Sequence, residues 1–174
     1  MKPSELLKLI RTRRSIRIFK PYKISKKEIK MLLEAARWAP SGLNLQPWQF
    51  IVVLDKKKIY QIAHLSSTLI GYKKGCTKDA SCIIAVLLTI PGRRMLTNLG
   101  LTMQNICLQA HALGLGSCIF GSFDKKAVSK ILSIPFHKQL CYLIFVGKPA
   151  EKPKKKRKEI SKIAFLDEYG ERFI

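Results

Sequence analysis

The stretch that most constrains this chain is residues 95–113, a helical pattern that is apolar on two sides. Leu96, Leu99, Met103, Ile106, Ala110 and Leu113 recur at spacings of three and four, the period of one helix face. Leu101, Leu108 and Ala112 place apolar groups on another face. Such a helix must be covered on both sides. The second cover is either the rest of one monomer's core or another subunit, and the pattern alone admits both. Gly114, Leu115 and Gly116 follow, and glycine there supplies the left-handed conformation on which helices commonly stop.

Around this helix the other elements can be read in order. Residues 3–12 form a helix with Leu6, Leu7, Leu9 and Ile10 on one side. Ser25 and Glu28 form a capping box, and the helix it opens buries Ile29, Leu32, Leu33 and Ala36 before Pro40 ends it. Strands are expected at 50–54, 83–89, 117–120 and 140–146, with helices at 57–65 and 125–132 and a last short strand at 163–166. Residues 83–89 are apolar on both faces, which marks a central buried strand. Helices and strands interleave and helices dominate, so the fold class is α/β or α+β, with a sheet wrapped by helices. A chain of 174 residues suits a single domain, 1–174, and no internal repeat is visible.

The composition removes several functional classes. The net charge is +22, and 24 of the 33 basic residues are Lys. Clustered cations would point to a phosphate backbone. Here they are spread along the chain, and no recognition helix or aromatic platform accompanies them, so nucleic acid is not the expected partner. The field still favours small anionic ligands. Five cysteines, an odd number with no Cys-x-x-Cys, read as free thiols in a reducing compartment. His64, His111 and His137 have no metal-ligand spacing and read as structural or exposed, so no metal site is expected. The longest apolar run, 82–88, is too short to span a bilayer, and the first residues lack the apolar core of a secretory signal. A cytoplasmic protein without membrane attachment is the expectation. No G-x-S-x-G elbow, H-E-x-x-H, Walker A loop or strand-linked G-x-G-x-x-G is present.

What remains is a set of loops suited to anions. Arg13, Arg14 and Arg17 cluster with Ser15 at a helix exit, and guanidinium forks match phosphate oxygens. A solvated basic turn has the same spacing. The run of Lys154, Lys155, Lys156, Arg157 and Lys158 after Pro153 reads by itself as solvated charge. Between them lies the string from Ala39 to Trp48, Ala-Pro-Ser-Gly-Leu-Asn-Leu-Gln-Pro-Trp. It joins a rigid turn, a glycine for close approach and three hydrogen-bonding side chains, and its Trp48 reads as a core anchor.

Taken in order, these segments resemble the nitroreductase family of FMN flavoproteins. The matching residues are Arg13-Arg14-Ser15-x-Arg17-x-Phe19, the Ala39 to Trp48 string, Gly100-x-x-x-Gln104-Asn105 with the Gly114 to Ser117 turn, and Gly147-x-Pro149 before Arg157. The resemblance spans nearly the whole chain. It implies an α+β nitroreductase-like fold, a mostly antiparallel central sheet wrapped by helices, and a homodimer with FMN at the subunit interface. It assigns Arg13, Arg14, Ser15 and Arg17 to the flavin phosphate and ribityl arm, with Lys155 or Arg157 closing on the same phosphate. Pro40, Ser41, Gly42 and Asn44 match the loop that lies against the flavin, commonly from the partner subunit. Ile119, Phe120, Gly121 and Ser122 match the strand exit that faces the ring, and Lys73 and Lys74 align with flavin-edge residues. It names no catalytic side chain. The implied reaction passes hydride from NAD(P)H through flavin N5 to an electron-poor acceptor such as a nitroaromatic or quinone. The alternatives are a flavin-fragmenting or dehalogenating enzyme on the same scaffold, or a basic nucleic-acid-binding protein. Asn98 stands where many relatives carry Asp, and the acidic, aromatic lid of the iodotyrosine deiodinase branch has no counterpart here.

Overall fold

Strand β3, Cys82–Leu88, is buried along its whole length and divides the core in two. Its alternating side chains point to opposite faces. Cys82, Ile84, Val86 and Leu88 join one apolar cluster, and Ile83, Ala85 and Leu87 join the other. The first cluster also takes Leu32 and Ala36 from helix α2 (Lys26–Arg37) and Leu99, Ile106 and Ala110 from α4 (Arg93–Ala112). The second takes Ile59 and Ile62 from α3 (Lys56–Leu65) and Val128 from α5 (Lys125–Ile131). Helices therefore cover both faces of one sheet. The computed structural model describes residues 2–66, 73–90, 92–154 and 156–173.

The sheet is antiparallel in every named ladder, which makes the fold α+β. Strand β5 (Gln139–Pro149) is its hub. It pairs with β3, with β4 (Gly116–Phe120) and, through its last two residues, with the short β1 (Phe19–Lys20). Strand β2 (Trp48–Val53) pairs with β3 at the other side. The capping box of Ser25 and Glu28 opens α2 as expected, with Glu28 N donating to Ser25 Oγ at 3.2 Å. Two side chains of α4 satisfy the carbonyls left open at the end of α2: Thr102 Oγ1 donates to Ala36 O at 2.8 Å and Asn105 Nδ2 to Ala35 O at 3.0 Å. All five cysteines are free thiols. Among the described residues no helix is long and apolar enough to cross a membrane.

Two expectations need correction. Residues 163–166 do not form a strand. A single turn of 3-10 helix at Ile160–Lys162 precedes them, and Phe165 makes only one bridge, to Arg172. Ile163, Phe165 and Leu166 stay exposed and pair with no strand of the sheet. Strand β1, by contrast, was not foreseen, because a two-residue strand carries no periodicity.

Helix α1 (Pro3–Thr12) buries none of its residues and leads into residues 13–17, which lie along β4. Ile16 N donates to Ser117 O at 2.9 Å, and Ser15 bridges Ser117 in parallel. This approach is possible only because residue 116 is glycine. A Cβ there would come within 2.7 Å of Ile16 Cβ and Cγ1. We predict that Gly116→Ala costs about 1–3 kcal/mol in urea unfolding by forcing this segment off the strand. Unchanged stability would show that residues 13–17 are not held as described.

Candidate functional site

Where residues 13–17 leave α1, they form one wall of a cleft of about 370 Å³. Arg13, Arg14 and Ile16 stand on that wall, Gly116 and Ser117 of β4 form the floor, and His111 of α4 closes one end. The opposite wall is the chain after β5, including Glu151, Lys152 and Lys154. Segments more than a hundred residues apart thus meet in one basic cleft. Glu151 fastens them together: its Oε1 accepts from Arg17 N at 2.5 Å and from Ile18 N at 3.1 Å.

The two adjacent arginines do different things. Arg14 Nη1 turns back to Arg11 O at 2.6 Å and Arg13 O at 2.8 Å, so this guanidinium serves the open carbonyl end of α1. Arg13 Nε is buried and has no hydrogen-bond partner among the described residues. A buried, cationic N–H without an acceptor costs about 1–3 kcal/mol or more. An anion in the cleft would supply the acceptor, and guanidinium suits phosphate oxygens in particular. The chemistry of the cleft therefore fits a phosphate group.

On the other side of residues 17 and 18 lies a second hollow of about 460 Å³, lined by Ile18, His64, Lys73, Lys74, Cys76 and Lys78 among others. Burial pushes the Cys76 thiol up from its ordinary range, against the opposing pull of the Arg17 charge. The arginine segment is thus a ridge between two basic hollows.

The loop that begins at Pro40 is elsewhere. Gly42 N donates to Asn98 Oδ1 at 3.4 Å, near the start of α4, whereas the cleft is at His111 near its end. Thirteen residues of helix separate the two, about 20 Å. Pro40, Ser41, Gly42 and Asn44 therefore do not line the arginine cleft of their own chain. The loop is rigidly made. Leu43, Asn44 and Gln46 all have positive φ, a conformation costly for Leu and Gln in particular. Gln46 N donates to Ser41 Oγ at 3.0 Å, and Gln46 Nε2 reaches Asn44 Oδ1 at 3.2 Å. Leu43 is 93% exposed and Trp38 72% exposed, while Trp48 is buried, as its reading as a core anchor requires.

The remaining expected residues fall in several places. Ile119 and Phe120 stand at the far end of β4 from the cleft, and Gly121 and Ser122 are exposed just beyond. Arg157 is exposed, with Nη1 directed to Lys156 O at 3.4 Å, and does not line the cleft. Lys155 lies outside the described residues. Sequence reasoning missed the roles of Glu151 and His111. The last was read as structural or exposed, yet it lines the cleft. An isolated residue of each type carries no local signal, since each gains its role only from a distant backbone.

An antiparallel sheet covered by helices on both faces, with a basic cleft where its first loop crosses β4, defines an α+β protein. The chain belongs to the nitroreductase family, whose model matches residues 10–148. A protein of Archaeoglobus fulgidus, provisionally named NADH dehydrogenase/NAD(P)H nitroreductase, is 31% identical over 151 residues, 84% of this chain and 87% of that one. The iodotyrosine deiodinase of Thermotoga neapolitana is 27% identical over 89% of this chain and 95% of its own. Among solved structures, an FMN-dependent nitroreductase from Clostridium difficile superposes with a TM-score of 0.82 at 25% identity, covering 94% of this chain and 99% of that one.

The anchoring of α2 on α4 determines where the loop after it sits. Thr102→Val should remove one of the donors to the Ala36 carbonyl, which keeps the backbone N–H of Ala39, and cost about 1 kcal/mol in denaturant unfolding through the lost tie between the helices. No loss of stability would mean that this bond does not secure the loop.

Proposed function

We infer that this chain is an FMN-dependent NAD(P)H oxidoreductase that reduces electron-poor acceptors such as nitroaromatics or quinones. The observation that carries the reading is the buried Arg13 Nε–H with no acceptor among the described residues, in a cleft floored by β4. The relatives named for NAD(P)H and for FMN support the cofactors. When bound, the flavin supplies the redox chemistry, taking hydride at N5 from NAD(P)H and giving it to the acceptor.

The chain's own residues bind and orient. Arg13 holds the flavin phosphate, with Ser15 and Arg17 along the ribityl arm and Arg14 bracing the segment from behind. The family resemblance assigns Lys155 or Arg157, on the segment that follows Lys154, to the same phosphate. Ile119, Phe120, Gly121 and Ser122, whose backbone leaves β4, would lie toward the ring and could offer it a backbone amide, the Phe120 side chain being part of the core. The surplus of positive charge favours an anionic reduced cofactor. No side-chain acid or base is needed, since water can supply the proton.

The site is completed in a homodimer. Loop 40–44 sits near the start of α4 and the arginine cleft near its end, so a two-fold axis that sets two α4 helices antiparallel brings the loop of the partner subunit to the cleft. Exposed apolar groups at Leu43, Leu45, Leu101 and Trp38 suit burial in that contact. The purified protein should be yellow, and NADH or NADPH should bleach it. Arg13→Ala combined with Arg157→Ala should weaken FMN binding by at least tenfold to a hundredfold, the worth of one or two charge-assisted bonds, with the fold intact. Unchanged FMN affinity would remove the phosphate assignment. A dehalogenating activity has one supporting observation, the deiodinase relative. Halide release from an iodinated phenol under NAD(P)H, with no turnover of nitroaromatics or quinones, would establish it instead.

A further inference from the structure

His111 is the one histidine on the wall of the arginine cleft. Its Nε2 stands 2.8 Å from Thr12 Oγ1. The Thr12 hydroxyl is also 2.8 Å from Lys8 O, an acceptor that takes its proton. With that proton assigned to Lys8 O, Thr12 Oγ1 accepts and the ring presents Nε2–H to it. This leaves Nδ1 as the nitrogen that gains or loses a proton. The ring is held in place whichever state Nδ1 adopts.

We propose that His111 is a positioning residue for the ligand phosphate, neutral when the cleft is empty and protonated when a phosphate dianion enters. The proposal rests on the flavin-phosphate reading of the cleft. The groups around the ring set the balance. From the segment after α1, Arg13 and Arg14 oppose a third positive charge. From the chain beyond β5, Lys152 and Lys154 act in the same sense and Glu151 against it. On α4 itself, the Cys107 thiol lies one turn back, and the carbonyl end of the helix favours a cation. With the cleft empty, burial and then the charges of Arg13 and Arg14 hold the imidazole below its ordinary value. A phosphate carrying about two negative charges offsets the charges of Arg13 and Arg14 and so favours the protonated ring.

The sign of the linkage follows. If the bound form holds one more proton than the free form, binding tightens as pH falls, by at most tenfold per pH unit. The phosphate's own second ionisation, near pH 6, works the other way, so the profile must be read against a variant. His111→Gln keeps a donor for Thr12 and removes the titration.

The test measures FMN affinity of the full-length protein between about pH 6 and pH 8, for wild type and for His111→Gln. The ratio of the two affinities should rise severalfold in favour of wild type toward low pH and approach one at high pH. A ratio that stays constant across the range would overturn the proposal, since a merely structural histidine shifts affinity equally at every pH. In parallel, the ring resonances of His111 are titrated with and without inorganic phosphate. The midpoint should rise with phosphate, and an unmoved midpoint also overturns it. If FMN fails to bind the wild type while phosphate still raises the midpoint, the flavin reading falls and the proton-linked phosphate site stands.

Discussion

Helix α4 sets the distance on which the whole arrangement depends. Its early residue Asn98 holds the loop after α2, and its late residue His111 faces the arginine turn after α1. A rigid helix fixes these two features about 20 Å apart. One chain therefore keeps the loop and the arginine cleft apart. Leu101, an exposed apolar position of the same helix, lies between them. Two-sided apolarity in this helix matches its position, with the sheet and α2 both packing against it.

Within the cleft the chain separates support from binding. Arg14 is engaged by backbone carbonyls and Glu151 by backbone amides, so both hold segments together. Arg13 keeps an unmatched donor. An unmatched buried donor is destabilising to the empty protein, and the same donor is prepared for an incoming oxygen without further reorganisation. The strained backbone at Leu43, Asn44 and Gln46 is a comparable expense in the other half-site. Both costs fall on the segments that the family resemblance ties to the cofactor, and the sheet between them is fully satisfied.

Much of this was legible from residue order. The doubly apolar β3, the capping box of α2 and the glycine stop at Gly114 each encode their geometry locally, and each formed as expected, Gly114 at a φ of 69°. The arginine cluster was visible as an anion motif, but its two roles were not, because Arg13 and Arg14 differ only in which backbone groups surround them. His111 and Glu151 gave no signal for the same reason. The tail misled in the opposite direction. Ile163, Phe165 and Leu166 have strand-forming composition, yet the only bridge in this stretch among the described residues is Phe165 to Arg172, a local one.

Shared sites are tested most directly with hybrid dimers. One chain carries Arg13→Ala. The other carries Gly42→Glu, a position where a Cβ meets nothing within 4 Å in its own chain, so the block acts only across the interface. Each parent dimer should lose FMN. A hybrid of the two should regain one tight site, built from the intact cleft of one chain and the intact loop of the other. A hybrid with no tight site would mean that each cofactor is held by a single chain, and the division described for α4 would be wrong.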